Sequence, residues 1–193
     1  MRTLTVIEFV TLDGVMQGLG SPDEDRDGGF EHGGWAAPYF DPAQGAAAVE
    51  GLTSTTAYLF GRRTYEKMAQ FWPYQPAENP MASHLTTTPK YVASRTLSEL
   101  TWSNSLRLEG ELGAATQELK STGEGTIAVL GSGVLVQQLI AERLVDEYRL
   151  FVHPLLLGTG KRLFREIAEP RPLRLAQCTP TSTGVLMLSY AAE

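Results

Sequence analysis

Leu4, Val6, Phe9 and Val10 fall in a β-branched-rich run that predicts an opening strand, and Asp13-Gly14 marks the bend that ends it. From Ser21 to Gly34 the chain gathers acidic residues and glycines with neither helical nor strand period, which predicts a long loop of the kind that often serves function. Asp41 before Pro42 is a helix start, because the carboxylate can accept an orphan N–H and proline fits the first helical position; the helix is expected to reach about Thr53. Ala57 to Phe60 is a short apolar strand broken at Gly61, and Thr64 to Phe71 has helical spacing that stops at Pro73. Pro73, Pro76, Pro80 and Pro89 make the stretch from Trp72 to Pro89 irregular, with one helical turn near Met81 to His84, before a strand over Tyr91 to Ala93.

Glu111 to Lys120 reads as a surface helix with Leu112 and Leu119 inward, ending at Gly123. Thr126 to Leu130 is an apolar strand, Gly131-Ser132-Gly133 a turn, and Val134 to Leu144 a helix with Leu135, Leu139 and Ile140 inward. Tyr148 to Val152 follows within a few residues, so it is expected to be the parallel neighbour of Thr126 to Leu130 through a right-handed crossover. Leu173 to Cys178 and Val185 to Tyr190, joined through Gly184, predict an antiparallel hairpin. Together these elements define an α/β fold: a mixed, mostly parallel central sheet with helices on both faces and a C-terminal antiparallel hairpin.

Length and composition narrow the picture. At 193 residues, without an internal repeat or a dividing linker, one domain over 1–193 is expected, and 42% hydrophobic with 20% charged residues are ordinary globular values. A net charge of -6 opposes the phosphate-neutralising surface of a nucleic-acid binder. The apolar start carries Glu8, is too short to span a membrane and lacks the order of a secretory signal, so a cytoplasmic protein is expected. Cys178 is the only cysteine, which rules out an internal disulfide and a thiolate cluster; it is expected to act as a small apolar residue of a late strand. His32, His84 and His153 have no short metal-ligand spacing, and no Gly-x-Ser-x-Gly element announces a hydrolase, so no metal site is expected.

The candidate chemistry lies at the strand ends. Gly61 and Gly131 to Gly133 each sit between an apolar strand and a helix start, where free N–H groups and the helix dipole favour an anion such as phosphate; the alternative is that glycine only serves the turn. Arg62, Arg63 and Thr64 add phosphate-binding groups to the first turn, and Ser94-Arg95 follows a third strand at its carboxyl end, where ligands bind in open α/β sheets. Asp13 is either a turn residue or a group that binds an exocyclic amine or hydroxyl of a substrate. Trp35, Tyr39 and Phe40 either stack on a flat heterocycle or cover the core, and His153 before Pro154 either lines a substrate pocket or is structural.

Gly61-Arg62-Arg63-Thr64-Tyr65-Glu66 resembles the Gly-Arg-x-Thr-aromatic-Glu signature of dihydrofolate reductases, Tyr91 to Arg95 their following strand with Ser-Arg, and Val129 to Val134 their glycine turn. Leu12-Asp13-Gly14, His153-Pro154, Gly158-Thr159-Gly160 and Leu163-Phe164 are closer to the riboflavin-biosynthesis reductase branch, and the resemblance covers nearly the whole chain. It implies a dihydrofolate reductase-like three-layer fold and an NADPH-dependent oxidoreductase. Arg62 and Thr64 would contact the pyrophosphate and ribose-phosphate side, Ser94 and Arg95 the adenosine 2′-phosphate, and Gly131, Ser132 and Gly133 the pyrophosphate.

One departure stands in that last turn, where those reductases place two adjacent glycines and this chain has Gly131 followed by Ser132. Trp35, Pro38 and Asp41 resemble the order that precedes the catalytic acid of dihydrofolate reductases, with the acid one position late, so Asp41 is either that acid or a helix cap. The implied reaction is hydride transfer to a small pterin- or aminopyrimidine-like substrate. The rivals are a riboflavin-pathway aminopyrimidine ribosyl reductase and a nucleotide-binding sensor without turnover. Tyr148 to Val152 and Val185 to Tyr190 are either core or the apolar surface of a homodimer.

Overall fold

The computed structural model describes residues 1–165 and 167–193. Eight strands are joined in one sheet: β1 (Thr3–Thr11), β2 (Thr55–Gly61), β3 (Lys90–Ala93), β4 (Ser105–Arg107), β5 (Thr126–Leu130), β6 (Glu147–His153), β7 (Leu173–Pro180) and β8 (Leu186–Ala192). Their order is β4-β3-β2-β5-β1-β6-β8-β7. Around the sheet stand α1 (Pro42–Leu52), α2 (Arg62–Phe71), α3 (Pro80–Thr87), α4 (Leu112–Ser121) and α5 (Gly133–Ala141). β2 pairs in parallel with β3 and β5, and β3 with β4, whereas β8 is antiparallel to both β6 and β7. The expected α/β sheet with its closing hairpin is therefore present.

One expected neighbour pair is corrected. β5 and β6 are not adjacent, because β1 lies between them. The opening strand is suited to that inner position: Leu4 and Val6 are wholly buried and Val10 nearly so, and a strand covered on both sides needs such residues.

The chain forms two compact units, Met1–Val6 with Ala47–Asp146, and Ile7–Ala46 with Glu147–Glu193. In the first, Ala57, Leu59, Phe60, Ile127, Val129, Val136 and Leu139 are fully buried, giving β2, β5 and α5 a continuous apolar core. The start of β1 is tied down by Asp146, whose carboxylate accepts from Leu4 N–H (2.7 Å) while its own N–H donates to Leu4 O (3.0 Å). Lys120 at the end of α4 neutralises that carboxylate at 2.7 Å and donates to Leu144 O (3.0 Å). In the second unit Val15, Phe30 and Trp35 form a buried cluster with Phe9 and Leu157 packed against it. Cys178 stands on β7, as expected for its strand, but is exposed rather than packed.

The proline-rich segment holds more structure than its composition suggests. Pro80 occupies the first turn of α3, and the Asn79 side chain caps it by accepting from Met81 N–H (3.0 Å) and Ala82 N–H (3.3 Å). Its far end is closed by Lys90, a fully buried side chain whose Nζ donates to Leu85 O (2.6 Å), Thr88 O (2.9 Å) and Thr86 O (3.4 Å) and lies 4.7 Å from the centre of the Trp102 ring. Burial pushes the lysine pKa down to about 8, and the carbonyls at the helix C-terminus offset the buried charge. Lys90→Met leaves those carbonyls without a donor and is expected to destabilise the fold by about 1–3 kcal/mol in a denaturant titration; a variant as stable as the parent would show that they need no partner.

Candidate functional site

The first unit brings three strand ends together. Gly61 pairs with Ala93 and Leu59 with Val129, so β3, β2 and β5 deliver Ser94, Gly61 and Gly131 to one carboxyl edge of a parallel sheet. Gly61 is in ordinary extended geometry (φ -80°, ψ 161°), so its need for glycine is spatial. A Cβ there would lie 2.7 Å from Ser132 Oγ and 2.9 Å from Ser132 Cβ. Gly131 (φ 68°) and Ser132 (φ 69°, ψ 66°) are consecutive left-handed residues, a conformation that is strained for serine.

Ser132 is held there by its hydroxyl, which accepts from Gly61 N–H (2.8 Å) and donates to Thr64 Oγ1 (2.7 Å). The two glycine turns are thus locked to each other. Neither α2 nor α5 has a side-chain cap, unlike α1 and α3, so the first-turn N–H groups remain available to an anion. Arg62 at the start of α2 is partly exposed and lies 3.3 Å from Glu66, and Arg95 is exposed.

Ser94 has a structural task of its own. Its Oγ accepts from Thr96 N–H (3.2 Å) and Leu97 N–H (3.0 Å), forming a tight turn beneath Arg95. Arg107, on the short edge strand β4, donates to Ser94 O (3.1 Å) and to Leu97 O, and so fixes that turn from outside. Sequence reading missed both β4 and Arg107; three residues, Ser-Leu-Arg, carry too little periodicity to announce a strand.

The remaining candidate residues belong to the second unit. The Asp13 carboxylate accepts from Thr11 Oγ1 (2.6 Å), Gly158 N–H (2.8 Å) and Leu157 N–H (3.2 Å), with Arg162 3.4 Å away. These donors, the Thr11 hydroxyl foremost, pull its pKa down to about 2. The Asp41 carboxylate accepts from Ala43 N–H (2.8 Å) as the cap of α1 and, through its other oxygen, from Ser182 Oγ (2.5 Å) and Ser182 N–H (2.9 Å) in the β7–β8 turn. The Ser182 hydroxyl and the cap bond hold its pKa below the usual carboxylate range. Both groups are ionised tethers in this geometry.

His153 is 1% exposed and closes β6 within an aromatic box: Trp35 at 5.0 Å, Tyr39 at 5.8 Å and Phe9 at 6.2 Å between ring centres. Its Nδ1 donates to Phe151 O (3.0 Å), and burial pushes its pKa down, so the ring is neutral and Nε2 presents a lone pair. Trp35 is anchored by Nε1–H to Gln17 O (2.7 Å). The acidic loop is ordered by Lys161, which pairs with Asp25 (2.9 Å) and Asp27 (2.8 Å), and beside it opens a cleft of about 1060 Å³ lined by Gln17, Phe30, His32, Lys161 and Arg165 among others. Lys161 lies outside every motif read from the sequence. Among the described residues no group of three or more His, Cys, Asp or Glu side chains is placed to hold a metal, and no helix is long and apolar enough to cross a membrane.

The fold is that of the dihydrofolate reductase-like proteins. It superposes on dihydrofolate reductase from Enterococcus faecalis, solved with NADP(H), with a TM-score of 0.62 at 14% identity over 99% of this chain and 96% of the other. A putative riboflavin biosynthesis protein from Shewanella sp. PV-4 gives a TM-score of 0.75 at 20% identity over 100% and 99% of the two chains. In sequence, YyaP of Bacillus subtilis (strain 168) is 27% identical over 184 residues, 94% of this chain and 90% of its own length. The chain belongs to the RibD C-terminal domain family, whose model matches residues 2–187.

Two expectations follow from the carboxylates. Asparagine at position 41 offers one acceptor oxygen where two are used, so Asp41→Asn lowers the melting temperature yet leaves catalytic turnover within about three-fold, far short of the roughly 10²–10⁴ of a lost general acid. A collapse of turnover in the folded variant would reverse that assignment. Asp13 is depressed in the folded state, so its contribution is complete above about pH 4 and vanishes as pH falls through about 2. Asp13→Asn is expected to cost about 2 kcal/mol near neutrality, with the two melting curves converging across that acid window; a pH-independent gap would contradict it.

Proposed function

We propose that this chain is an NADPH-dependent reductase that delivers hydride to a small heterocyclic or conjugated substrate of the pterin or aminopyrimidine kind. The observation that carries the reading is the carboxyl edge of β3, β2 and β5, where two uncapped helix starts and an exposed arginine stand at three neighbouring strand ends. This edge fits a dinucleotide. The backbone N–H groups at Gly131 to Gly133 and at the start of α2 suit the pyrophosphate, Arg62 and Thr64 its flank, and Arg95 an adenosine 2′-phosphate.

When bound, NADPH supplies hydride from its dihydronicotinamide ring. The protein's part is to hold, orient and protonate. Ser132 spends its hydroxyl on Gly61 and Thr64, so phosphate is met at that turn by backbone N–H groups. In the second unit, a planar ligand carrying an N–H group suits the aromatic box, because Nε2 of neutral His153 accepts a hydrogen bond while Trp35 and Tyr39 offer ring surface. Membership of the RibD C-terminal domain family favours an aminopyrimidine ribosyl compound within this class.

Calorimetry with NADPH and NADH, followed by NADPH oxidation with dihydropterin and aminopyrimidine ribosyl compounds, tests the reading. NADPH is expected to bind more tightly, and Arg95→Ala to narrow that preference by about 10–100-fold, the equivalent of one charge-assisted contact. Equal affinity of the parent protein for the two cofactors would remove the 2′-phosphate assignment, and binding without turnover on any substrate would favour a nucleotide sensor.

A further inference from the structure

Of the groups assigned to the cofactor, Arg62 and Thr64 stand on α2 and Gly131 to Gly133 lead into α5, so regular structure sets their places. Arg95 has no such support. It is exposed and lies in the connection between β3 and β4, outside every helix and strand. A side chain that meets a phosphate from such a segment loses affinity to its own ordering, unless the backbone beneath it is already held.

Two clasps hold that backbone. From within, Ser94 Oγ accepts from Thr96 N–H (3.2 Å) and Leu97 N–H (3.0 Å), closing a turn around Arg95. From outside, the Arg107 guanidinium donates through one Nη to Ser94 O (3.1 Å) and through the other to Leu97 O, so one planar fork bridges the two ends of the turn. Arg107 is the last residue of β4, in register with Val92 of β3, and Leu108 N–H donates to Val92 O (3.0 Å), so the fork is anchored to the sheet. The other neighbour of that fork, Glu109, lies 3.8 Å from Nε and is 81% exposed, too solvated to hold it strongly. Arg95 and Thr96 face solvent, so water could serve the carbonyls of this turn as well. What arginine adds is fixed geometry.

We propose that Arg107 is a positioning residue that determines cofactor specificity: it holds the 94–97 turn so that Arg95 meets an adenosine 2′-phosphate already in place, while its own fork stays on the carbonyls. This rests on the 2′-phosphate reading of Arg95 above. Arg95 is the side chain of this turn that serves the extra phosphate, so loosening the turn weakens a dinucleotide that carries that phosphate and spares one that lacks it. The influence of Arg107 on the choice of cofactor therefore passes through Arg95, and it depends on a fork that spans two carbonyls rather than on positive charge alone.

Calorimetry with NADPH and NADH on Arg107→Met, Arg107→Lys, Arg95→Ala and the variant carrying both Arg95→Ala and Arg107→Met tests this. Arg107→Met is expected to narrow the preference for NADPH by about 3–10-fold, the scale of ordering a side chain and its turn on binding, with the loss falling on NADPH. Arg107→Lys keeps the charge without the fork and is expected to lose most of the same preference, so it carries the test alone if Arg107→Met does not fold. In the double variant the preference should equal that of Arg95→Ala. An unchanged preference in Arg107→Met would leave the arginine a merely structural clasp, and full preference in Arg107→Lys would trace its effect to charge. A further drop in the double variant would put Arg107 itself on the phosphate. Each of these overturns the positioning role while the 2′-phosphate reading stands. Equal affinity of the parent protein for the two nucleotides would instead overturn the reading of Arg95, and the proposal with it.

Discussion

The hydroxyl of Ser132 sets the geometry on which the carboxyl edge of β3, β2 and β5 depends. It takes the Gly61 N–H, gives its own proton to Thr64, and in doing so holds a serine in left-handed backbone that its Cβ disfavours by about 1–2 kcal/mol. Two hydrogen bonds, at roughly 0.5–1.5 kcal/mol each, are of the size needed to offset that strain. The arrangement also explains its neighbours: Gly61 must lack a Cβ because Ser132 occupies that space, and Thr64 must carry a hydroxyl because Ser132 donates to it. These residues work as a set, so exchanging any one of them removes partners from the others.

Much of the architecture was legible because it rests on long periodic stretches. The strand, glycine turn and helix units at β2–α2 and β5–α5, the Asp41 start of α1 and the closing hairpin all follow from patterns with a direct physical cause. What escaped was non-local or short. Nothing near Leu4 or Tyr148 tells that β1 separates β5 from β6, since both neighbours accept an apolar strand equally well. α3 was shortened by the weight given to prolines, although Pro80 sits where a helix tolerates it and Asn79 marks the true start.

The candidate site divides along the same line. The neighbouring strand ends could be picked out from motifs, because an anion site at a helix start would use residues adjacent in sequence. The tethering by Asp13 and Asp41 could not, because it depends on partners far along the chain. Asp13, read as a turn residue or a substrate contact, meets Gly158, and Asp41, read as a catalytic acid or a helix cap, meets Ser182; no local pattern encodes these contacts, and each carboxylate is an ionised tether. Glu8, by contrast, sits in the buried stripe of β1 with Oε1 lacking a hydrogen-bond partner among the described residues, and burial raises its pKa.

The partners of a carboxyl group decide whether it holds the fold as an anion or keeps its proton. A carboxylate filled with N–H and O–H donors is a strong tether and a poor acid, since each donor that fixes the loop also stabilises the anion. Asp13 and Asp41 therefore secure the 157–158 and 182 segments at the expense of any proton they could deliver. A carboxyl group without such donors is in the reverse state, because burial in apolar surroundings favours its neutral form. β1 supplies the low polarity at Glu8 and leaves Oε1 without a partner, so the same sparsity of donors keeps the proton in place.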